Sequence, residues 1–161
     1  MTLSLEDGSG VDGADSFIDV DGCNGLATDY YGHSLTHSAA DKEAALRRAF
    51  VYMGALDWKA DANGLSLWPT FGGTIPHPVK IAQMALARLE VSNVGALAPD
   101  VTLSGKKVLT GVKGITWQVQ GGPNTVEAAR PVVTFAMDLL APYLASDPSK
   151  VGGRTTFLDR G

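Results

Sequence analysis

Residues 78–92 read PVKIAQMALARLEVS, a stretch with the pattern of one α-helix. Pro78 suits the first helical turn, because its fixed φ matches the helix and its missing N–H would have no partner there. Apolar side chains recur at helical spacing along this segment: Val79, Ala82, Ala85, Leu86 and Leu89. The stretch predicts a helix with one apolar stripe and points to a mainly α fold.

The segment before it, residues 41–56, reads DKEAALRRAFVYMGAL and has the same character. Ser38 followed by Asp41 is an N-cap pattern. Apolar positions recur at Leu46, Ala49, Phe50 and Met53. Charged residues occupy much of the other face: Lys42, Glu43, Arg47 and Arg48. A second amphipathic helix is therefore expected.

Two further helices are expected at the edges of this region. The first covers roughly residues 20–31, although Gly22 and Gly25 each cost about 1 kcal/mol relative to Ala in a helix interior. The other follows Pro131, with apolar residues at Val132, Phe135, Ala136, Leu139 and Leu140. Pro142 is expected to end or kink it.

Strand character is confined to short segments. Residues 2–6 and 15–18 have it weakly, on either side of a Gly- and Asp-rich turn. Residues 106–120, KKVLTGVKGITWQVQ, combine β-branched residues, alternation and two glycines, which predicts a hairpin. We expect a mainly α fold: a small helical bundle of about four helices with an inserted β-hairpin and extended N- and C-terminal arms.

The chain has 161 residues, enough for one domain with a core. We expect a helical domain over residues 1–148 and a polar C-terminal tail over residues 149–161. Apolar residues make up 45% and charged residues 19%, which is typical of globular proteins. No run of 18 apolar residues suggests a membrane span, and no signal peptide is visible. Cys23 is the single cysteine, which excludes an internal disulfide.

Charge is distributed unevenly along the chain. Residues 1–41 contain eight acids and no Lys or Arg, whereas the remaining residues carry nine acids and all thirteen bases. This asymmetry is compatible with head-to-tail packing between copies and equally with a solvated acidic face. With a pI near 5.2 and no basic cluster, sequence-independent binding to a phosphate backbone is poorly supported.

The segment DVDGCNGLATDY, residues 19–30, resembles a calcium loop at first sight. A loop that starts at Asp19 has Cys23 at its fifth position, Asn24 where the turn needs Gly, and Tyr30 where a bidentate Glu should close the shell. Too few oxygen ligands remain. Asp19 and Asp21 are better explained as N-terminal residues of the first helix, where carboxylates accept backbone N–H bonds.

No catalytic constellation is apparent. His33 and His37 are four apart, but Ser34 replaces the Glu that a zinc-protease helix requires. No Ser or Cys lies in a nucleophile-elbow setting, and no base can be assigned to Ser9. Cys23 could pair with a histidine in space, but a lone cysteine is more often a core residue. Neither glycine pair, Gly72-Gly73 nor Gly121-Gly122, has phosphate-loop spacing. We therefore expect no enzymatic activity, no metal and no cofactor.

Five aromatic residues raise the question of base stacking on nucleic acid: Tyr30, Tyr31, Trp58, Trp68 and Trp117. A stacking platform needs basic residues interleaved with the aromatics, but only Lys59 lies close to Trp58 in the sequence, and Trp68 has no cation nearby. The tryptophans are therefore expected to anchor the long connections in the core.

An ordered set of motifs resembles the head-tail connector adaptors, or head-completion proteins, of tailed bacteriophages. The set consists of LEDGSGVDGADSFIDV (3–20), LATDYYG (26–32), residues 41–56 with the following Trp58, LSLWPTFG (65–72), PHPVKIAQMALARLEV (76–91) and LLAPYL (139–144). Related sequences are also described as carrying a DnaT-like domain. The resemblance covers most of the chain; the glycines of the first helix and the tail after residue 148 depart from it.

The resemblance implies a virion structural protein that is not an enzyme. Such adaptors form a homo-oligomeric ring, a dodecamer by resemblance, beneath the portal protein. The ring extends the DNA exit channel and joins it to a downstream connector or tail protein. Packaged DNA would pass without sequence-specific binding, and no membrane would be involved. The protein would lie in the virion neck, and in the host cytoplasm during assembly.

Two segments are interface candidates. By the resemblance, the tail docks on the portal through Arg154, Thr155, Thr156, Phe157 and Leu158; the alternative is a disordered end with an incidental Phe. Lys106, Lys107 and Lys113 of the hairpin face the channel or an acidic neighbour, or are ordinary solubilising lysines. The alternative function is a single-stranded DNA-binding module, which the DnaT-like description of related sequences suggests.

Overall fold

The computed structural model describes residues 2–98 and 133–145. Four α-helices occur in these ranges: α1 (Val20–Tyr31), α2 (Ala39–Gly54), α3 (His77–Ser92) and α4 (Thr134–Leu140). The expected mainly helical fold with four helices is confirmed, and none of the described residues belongs to a β-strand. The predicted hairpin at 106–120 and the tail at 149–161 lie outside the described residues, and the extended arms are not confirmed.

The centre of the bundle is α3, which packs against α1, α2 and α4. Ten of its sixteen residues are buried, including every residue from 81 to 87. The buried surface of α3 is therefore wider than the single apolar stripe expected from the sequence, because three neighbouring helices cover α3 on several sides. None of the helices in residues 2–98 and 133–145 is long and apolar enough to cross a membrane.

Local sequence signals mark the helix ends. Asp19 is the N-cap of α1, and its carboxylate accepts a 2.7 Å bond from the N–H of Gly22. Ser38 is the N-cap of α2, and its hydroxyl accepts a 3.2 Å bond from the N–H of Asp41. Both capping predictions are confirmed. Pro142 lies in a 3₁₀ turn (Ala141–Tyr143) that ends α4, as expected.

The N-terminal loop is organised around the carboxylate of Glu6, which is 1% exposed. Its Oε1 accepts hydrogen bonds from the N–H groups of Gly8 (2.8 Å) and Gly10 (2.9 Å). Its Oε2 accepts a 2.9 Å bond from the N–H of Val11. A buried carboxylate is stable only with such partners. The acids and glycines of LEDGSGVDGADSF therefore build a closed loop.

Short strands were expected on either side of this loop, but the two segments meet only at a single parallel bridge between Leu5 and Ser16. The ladder is interrupted because the neighbouring positions are engaged by side chains. The N–H of Ser4, for example, donates a 2.8 Å bond to the carboxylate of Asp15.

A fully buried amide, Gln83 of α3, ties the N-terminal segment to α2. Its Oε1 accepts a 2.9 Å bond from the N–H of Phe17. Its Nε2 donates to the hydroxyl of Ser16 (2.9 Å) and to the carbonyl of Leu46 in α2 (3.1 Å). Every polar atom of this side chain is thus engaged, as burial demands.

The connection between α2 and α3 is anchored by an interior aromatic cluster. Trp58 and Trp68 stack with ring centroids 5.2 Å apart, and Phe17 contacts Phe50 at 4.9 Å and Trp68 at 5.1 Å. The indole N–H of Trp58 donates a 2.8 Å bond to the carbonyl of Met53. The expected anchoring role is confirmed for these two tryptophans; Trp117 lies outside the described residues.

Candidate nucleic-acid interface

The residues considered for nucleophilic or zinc chemistry are dispersed. Cys23 is fully buried, and burial raises the pKa of its thiol to about 11. It is therefore a protonated core residue at neutral pH rather than a thiolate nucleophile. His33 and His37 are exposed in the loop between α1 and α2. The Nδ1 atom of His33 lies 3.3 Å from the carbonyl oxygen of the next residue.

The acidic segment that begins at Asp19 forms the N-terminal end of α1. Asp19 caps α1 and Asp21 lies in its first turn. Within residues 2–98 and 133–145, no group of three or more His, Cys, Asp and Glu side chains is arranged to hold a metal ion.

The basic side chains of the described region are largely engaged with the protein itself. The Nε atom of Arg47 lies 2.7 Å from the carboxylate of Asp15, and that of Arg48 lies 2.6 Å from the buried carboxylate of Glu90. Lys59 donates a 2.7 Å bond to the carbonyl of Pro142. Six of the thirteen bases and thirteen of the seventeen acids belong to residues 2–98 and 133–145. The described surface is therefore acidic, with little that could follow a phosphate backbone.

Against this background, one surface combines aromatic rings with a cation. Tyr30 and Tyr31 lie at the end of α1 and Phe135 in the first turn of α4, with the Phe135 ring centroid 6.4 Å from Tyr30 and 6.2 Å from Tyr31. The guanidinium carbon of Arg88 in α3 lies 4.2 Å from the centre of the Tyr31 ring. We call Tyr30, Tyr31, Phe135 and Arg88 the surface aromatic cluster.

Exposure distinguishes the surface aromatic cluster from the interior one. Tyr30 is 46% exposed and Phe135 is 42% exposed, so each ring presents area to solvent. The Arg88–Tyr31 contact is a cation–π interaction, which fixes the guanidinium on the Tyr31 ring, and that ring lies 6.2 Å from the exposed ring of Phe135. An exposed ring next to an arginine is what stacking of an unpaired nucleobase requires.

Sequence reasoning considered Tyr30 and Tyr31 for stacking but found no nearby cation. The cation comes from Arg88, on a different helix. Phe135 was assigned to the apolar side of its helix, yet it is one of the exposed large apolar residues. Helical spacing shows which residues share a face, but not that α1, α3 and α4 converge at this point.

Two depressions flank the exposed face of α2. One, of about 370 Å³, has an apolar floor, with Arg47, Arg48 and Glu90 among its lining. The other, of about 390 Å³, lies near the N-terminal end of the helix and is lined by acids together with Leu3 and Leu5.

The interface candidates named from the sequence lie outside the described residues. These are the hairpin lysines Lys106, Lys107 and Lys113 and the tail residues Arg154, Thr155, Thr156, Phe157 and Leu158.

One family model matches the chain over residues 1–161, and that family is described as "Putative DnaT-like ssDNA binding protein". The match confirms the DnaT-like part of the resemblance and gives no support to the head-tail connector part. No curated protein matches the chain, and no solved structure matches it.

Proposed function

Since the chain belongs to this DnaT-like ssDNA-binding family, we propose that it is a non-enzymatic protein that binds single-stranded DNA through the surface aromatic cluster. The observation that carries the proposal is the position of Arg88, 4.2 Å from the centre of the Tyr31 ring, in a cluster where the exposed Phe135 ring lies 6.2 Å from Tyr31 and 6.4 Å from the exposed ring of Tyr30.

Base stacking supplies most of the affinity in this proposal. Tyr30 and Phe135 are inclined to one another by 52°, so each ring receives a base on its own face and neither clamps a base against the other. Stacking of a base on an aromatic ring contributes about 1–3 kcal/mol and tolerates any base, because every base has a π-face. Bases of duplex DNA are already stacked and paired, which favours single strands.

The acidic surface limits the electrostatic contribution. Arg88 is the one cation in the cluster, and a single neutralised phosphate gives a salt slope of about −0.7 for single strands. The described domain should therefore bind weakly but with little dependence on salt. Binding that falls steeply with salt would instead require bases from elsewhere in the chain, such as the hairpin lysines.

Fluorescence anisotropy with labelled oligothymidylate and with a labelled duplex of equal length tests this proposal. We expect the single strand to bind and the duplex not to bind. Tyr30→Ala combined with Phe135→Ala should weaken binding by about tenfold per ring or more, whereas Leu65→Ala, which removes another exposed apolar side chain, should not. No binding at low salt, or equal binding by the double variant, would overturn the proposal.

A second candidate function is the head-tail connector adaptor. It is supported by the ordered motif resemblance and by the acidic described surface, which would let packaged DNA pass without adhering. In this proposal a ring of copies lies under the portal, joins a downstream connector or tail protein, and docks through the tail residues 154–158.

Electron microscopy of purified phage particles separates the two functions. Rings attached at the portal vertex would support the connector function. Absence of this protein from the particles would refute it. Deletion of residues 152–161 should abolish attachment to DNA-filled heads if the tail docks there. Charge reversal at Lys106, Lys107 and Lys113 should impair ring formation if the hairpin is an interface.

A further inference from the structure

We propose that Asn63 is a site of spontaneous covalent modification, at which the side-chain amide is lost as ammonia and residue 63 becomes aspartate or isoaspartate. Two of the asparagines in the chain precede a glycine, in the pairs Asn24-Gly25 and Asn63-Gly64. Glycine has no side chain to shield its amide nitrogen, and its backbone is the least restricted of all residues. These two pairs are therefore the candidates for deamidation, and the structure distinguishes them.

The second pair lies in a tight turn. The N–H of Asp61 donates a 2.7 Å bond to the carbonyl of Leu65, and the N–H of Gly64 donates a 3.0 Å bond to the carbonyl of Asp61. Gly64 has a φ of +79°, in the left-handed region that favours glycine. A glycine in this conformation is typical of a three-residue hairpin loop. The turn therefore favours glycine at the position where it follows an asparagine.

Solvent reaches the whole of this turn. Residues 62–66 are all exposed, and a Cβ built on Gly64 would meet nothing within 4 Å. The hydrogen bond from the Gly64 N–H must open before its nitrogen can react. That bond joins two residues of the same surface turn, so its opening disturbs no buried contact. Turns of this kind open at little cost in free energy.

The other pair, Asn24-Gly25, is protected by its helix. Both residues lie inside α1, the side-chain oxygen of Asn24 is buried, and its carbonyl accepts a 2.8 Å bond from the hydroxyl of Thr28. Ring closure between an asparagine side chain and the next nitrogen needs a ψ angle far from the helical value of about −42°. Asn24 should therefore react only when α1 opens.

The reaction needs only water and hydroxide from the solvent. The Gly64 nitrogen gives its proton to hydroxide and bonds to the side-chain carbonyl carbon of Asn63. The bond from that carbon to the amide nitrogen breaks, and ammonia leaves with a proton from water. Water then opens the resulting succinimide. Cleavage at the side-chain carbonyl gives aspartate, cleavage at the backbone carbonyl gives isoaspartate, and nothing is oxidised or reduced.

Either product changes the turn. The pKa of the Asp61 carboxyl is lowered chiefly by the hydrogen bond from the N–H of Leu65, then by bonds from the N–H and the side chain of Asn63. A carboxylate at position 63 replaces that side-chain donor with a like charge. Isoaspartate also adds a methylene to the backbone inside the turn. The modified turn should therefore hold Asp61 less firmly.

Tryptic peptide mapping by mass spectrometry tests the proposal on the full chain, before and after incubation in mildly alkaline buffer. Cleavage after Lys42, Lys59 and Lys80 places Asn24 in peptide 1–42 and Asn63 in peptide 60–80, and each peptide contains no other side-chain amide. Deamidation raises the peptide mass, so the two sites are followed separately in one sample. We expect Asn63 to react about tenfold faster than Asn24 in the native chain, and at a similar rate in urea, where α1 is unfolded.

Equal rates at the two sites in the native chain would overturn the proposal, as would an unchanged Asn63 in native protein under conditions where the unfolded chain reacts. Asn63→Gln is the matched control, because glutamine must close a larger and more slowly formed ring. Peptide 60–80 of this variant should keep its mass while peptide 1–42 behaves as before. Since no DNA is present, the result is independent of the proposed DNA binding.

Discussion

The side-chain amide of Gln83 donates a 2.9 Å hydrogen bond to the hydroxyl of Ser16, 67 positions earlier in the chain. Both residues are fully buried. The hydroxyl of Ser16 in turn donates a 2.6 Å bond to the carbonyl of Ile18. A series of hydrogen bonds therefore runs through the core from α3 to the segment that leads into α1, and it fixes how that segment enters the bundle.

Replacement of Gln83 by Leu should lower the free energy of unfolding by about 3 kcal/mol. The change leaves the N–H of Phe17 buried without its partner and removes the bond from Gln83 to the carbonyl of Leu46. Urea denaturation followed by tryptophan fluorescence measures it. Ser92→Ala removes an exposed hydroxyl of the same helix and should cost less than about 0.5 kcal/mol. A loss below about 1 kcal/mol for Gln83→Leu would contradict the assigned role.

Gly8→Ala should destabilise the protein more than Gly13→Ala does. Both glycines have positive φ, +107° and +69°, so both substitutions strain the backbone by about 1–2 kcal/mol. Only at Gly8 would the added Cβ lie 2.5 Å from the backbone of Gly73. The difference between the two midpoints in thermal unfolding isolates the steric part. Equal losses would show that the loop can move away from Gly73.

Gly25→Ala should stabilise the protein by about 0.5–1 kcal/mol, because Gly25 lies inside α1 and a Cβ there meets nothing within 4 Å. Gly22→Ala should gain less or destabilise, since its Cβ would lie 3.0 Å from the capping oxygen of Asp19. Calorimetric midpoints of the two variants compare them directly. A larger gain in stability for Gly22→Ala than for Gly25→Ala would contradict this prediction.

Stability should fall in alkaline solution because of Cys23. In the unfolded chain the thiol ionises near its ordinary pKa of 9.0, whereas burial raises the pKa in the folded chain to about 11. Below pH 9 both states keep the proton and this group contributes no pH dependence. Between pH 9 and 11 the unfolded state gains the charge, and unfolding becomes easier by about 2–3 kcal/mol in total.

The Cys23→Ala variant provides the comparison for that pH dependence. Its unfolding free energy should decline less than that of the native chain between pH 9 and 11, while the two curves run parallel below pH 8. Curves that stay parallel through pH 11 would exclude Cys23 as the source. Labelling of the thiol by Ellman's reagent at pH 8 should likewise occur only after unfolding.

The local part of this fold follows from the sequence. The range 20–31 expected for the first helix matches α1, and the caps at Asp19 and Ser38 are formed. These signals depend on neighbouring residues alone. Asp19 and Asp21 of the calcium-like segment were likewise predicted to lie at the start of this helix, and they occupy its N-cap and first turn.

Contacts between distant residues could not be predicted in the same way. Gln83 and Glu90 are polar residues of a kind usually exposed, and each is buried with a partner from a distant segment: Gln83 bonds to Phe17, and Glu90 pairs with Arg48. The Arg88–Tyr31 contact likewise requires two helices to pack together. Spacing within one helix carries no information about which neighbour it meets.

The hydrogen bonds of Glu6 and those of Gln83 can first form at different times during synthesis of the chain. Glu6 binds N–H groups two to five residues ahead, so its loop can close as soon as it leaves the ribosome. The N–H of Phe17 can bond to Gln83 only after 66 further residues have been synthesised. Synthesis of these residues takes several seconds at about 5–20 residues per second. The bonds of the N-terminal loop can therefore form before α3, on which the following segment docks, has been synthesised.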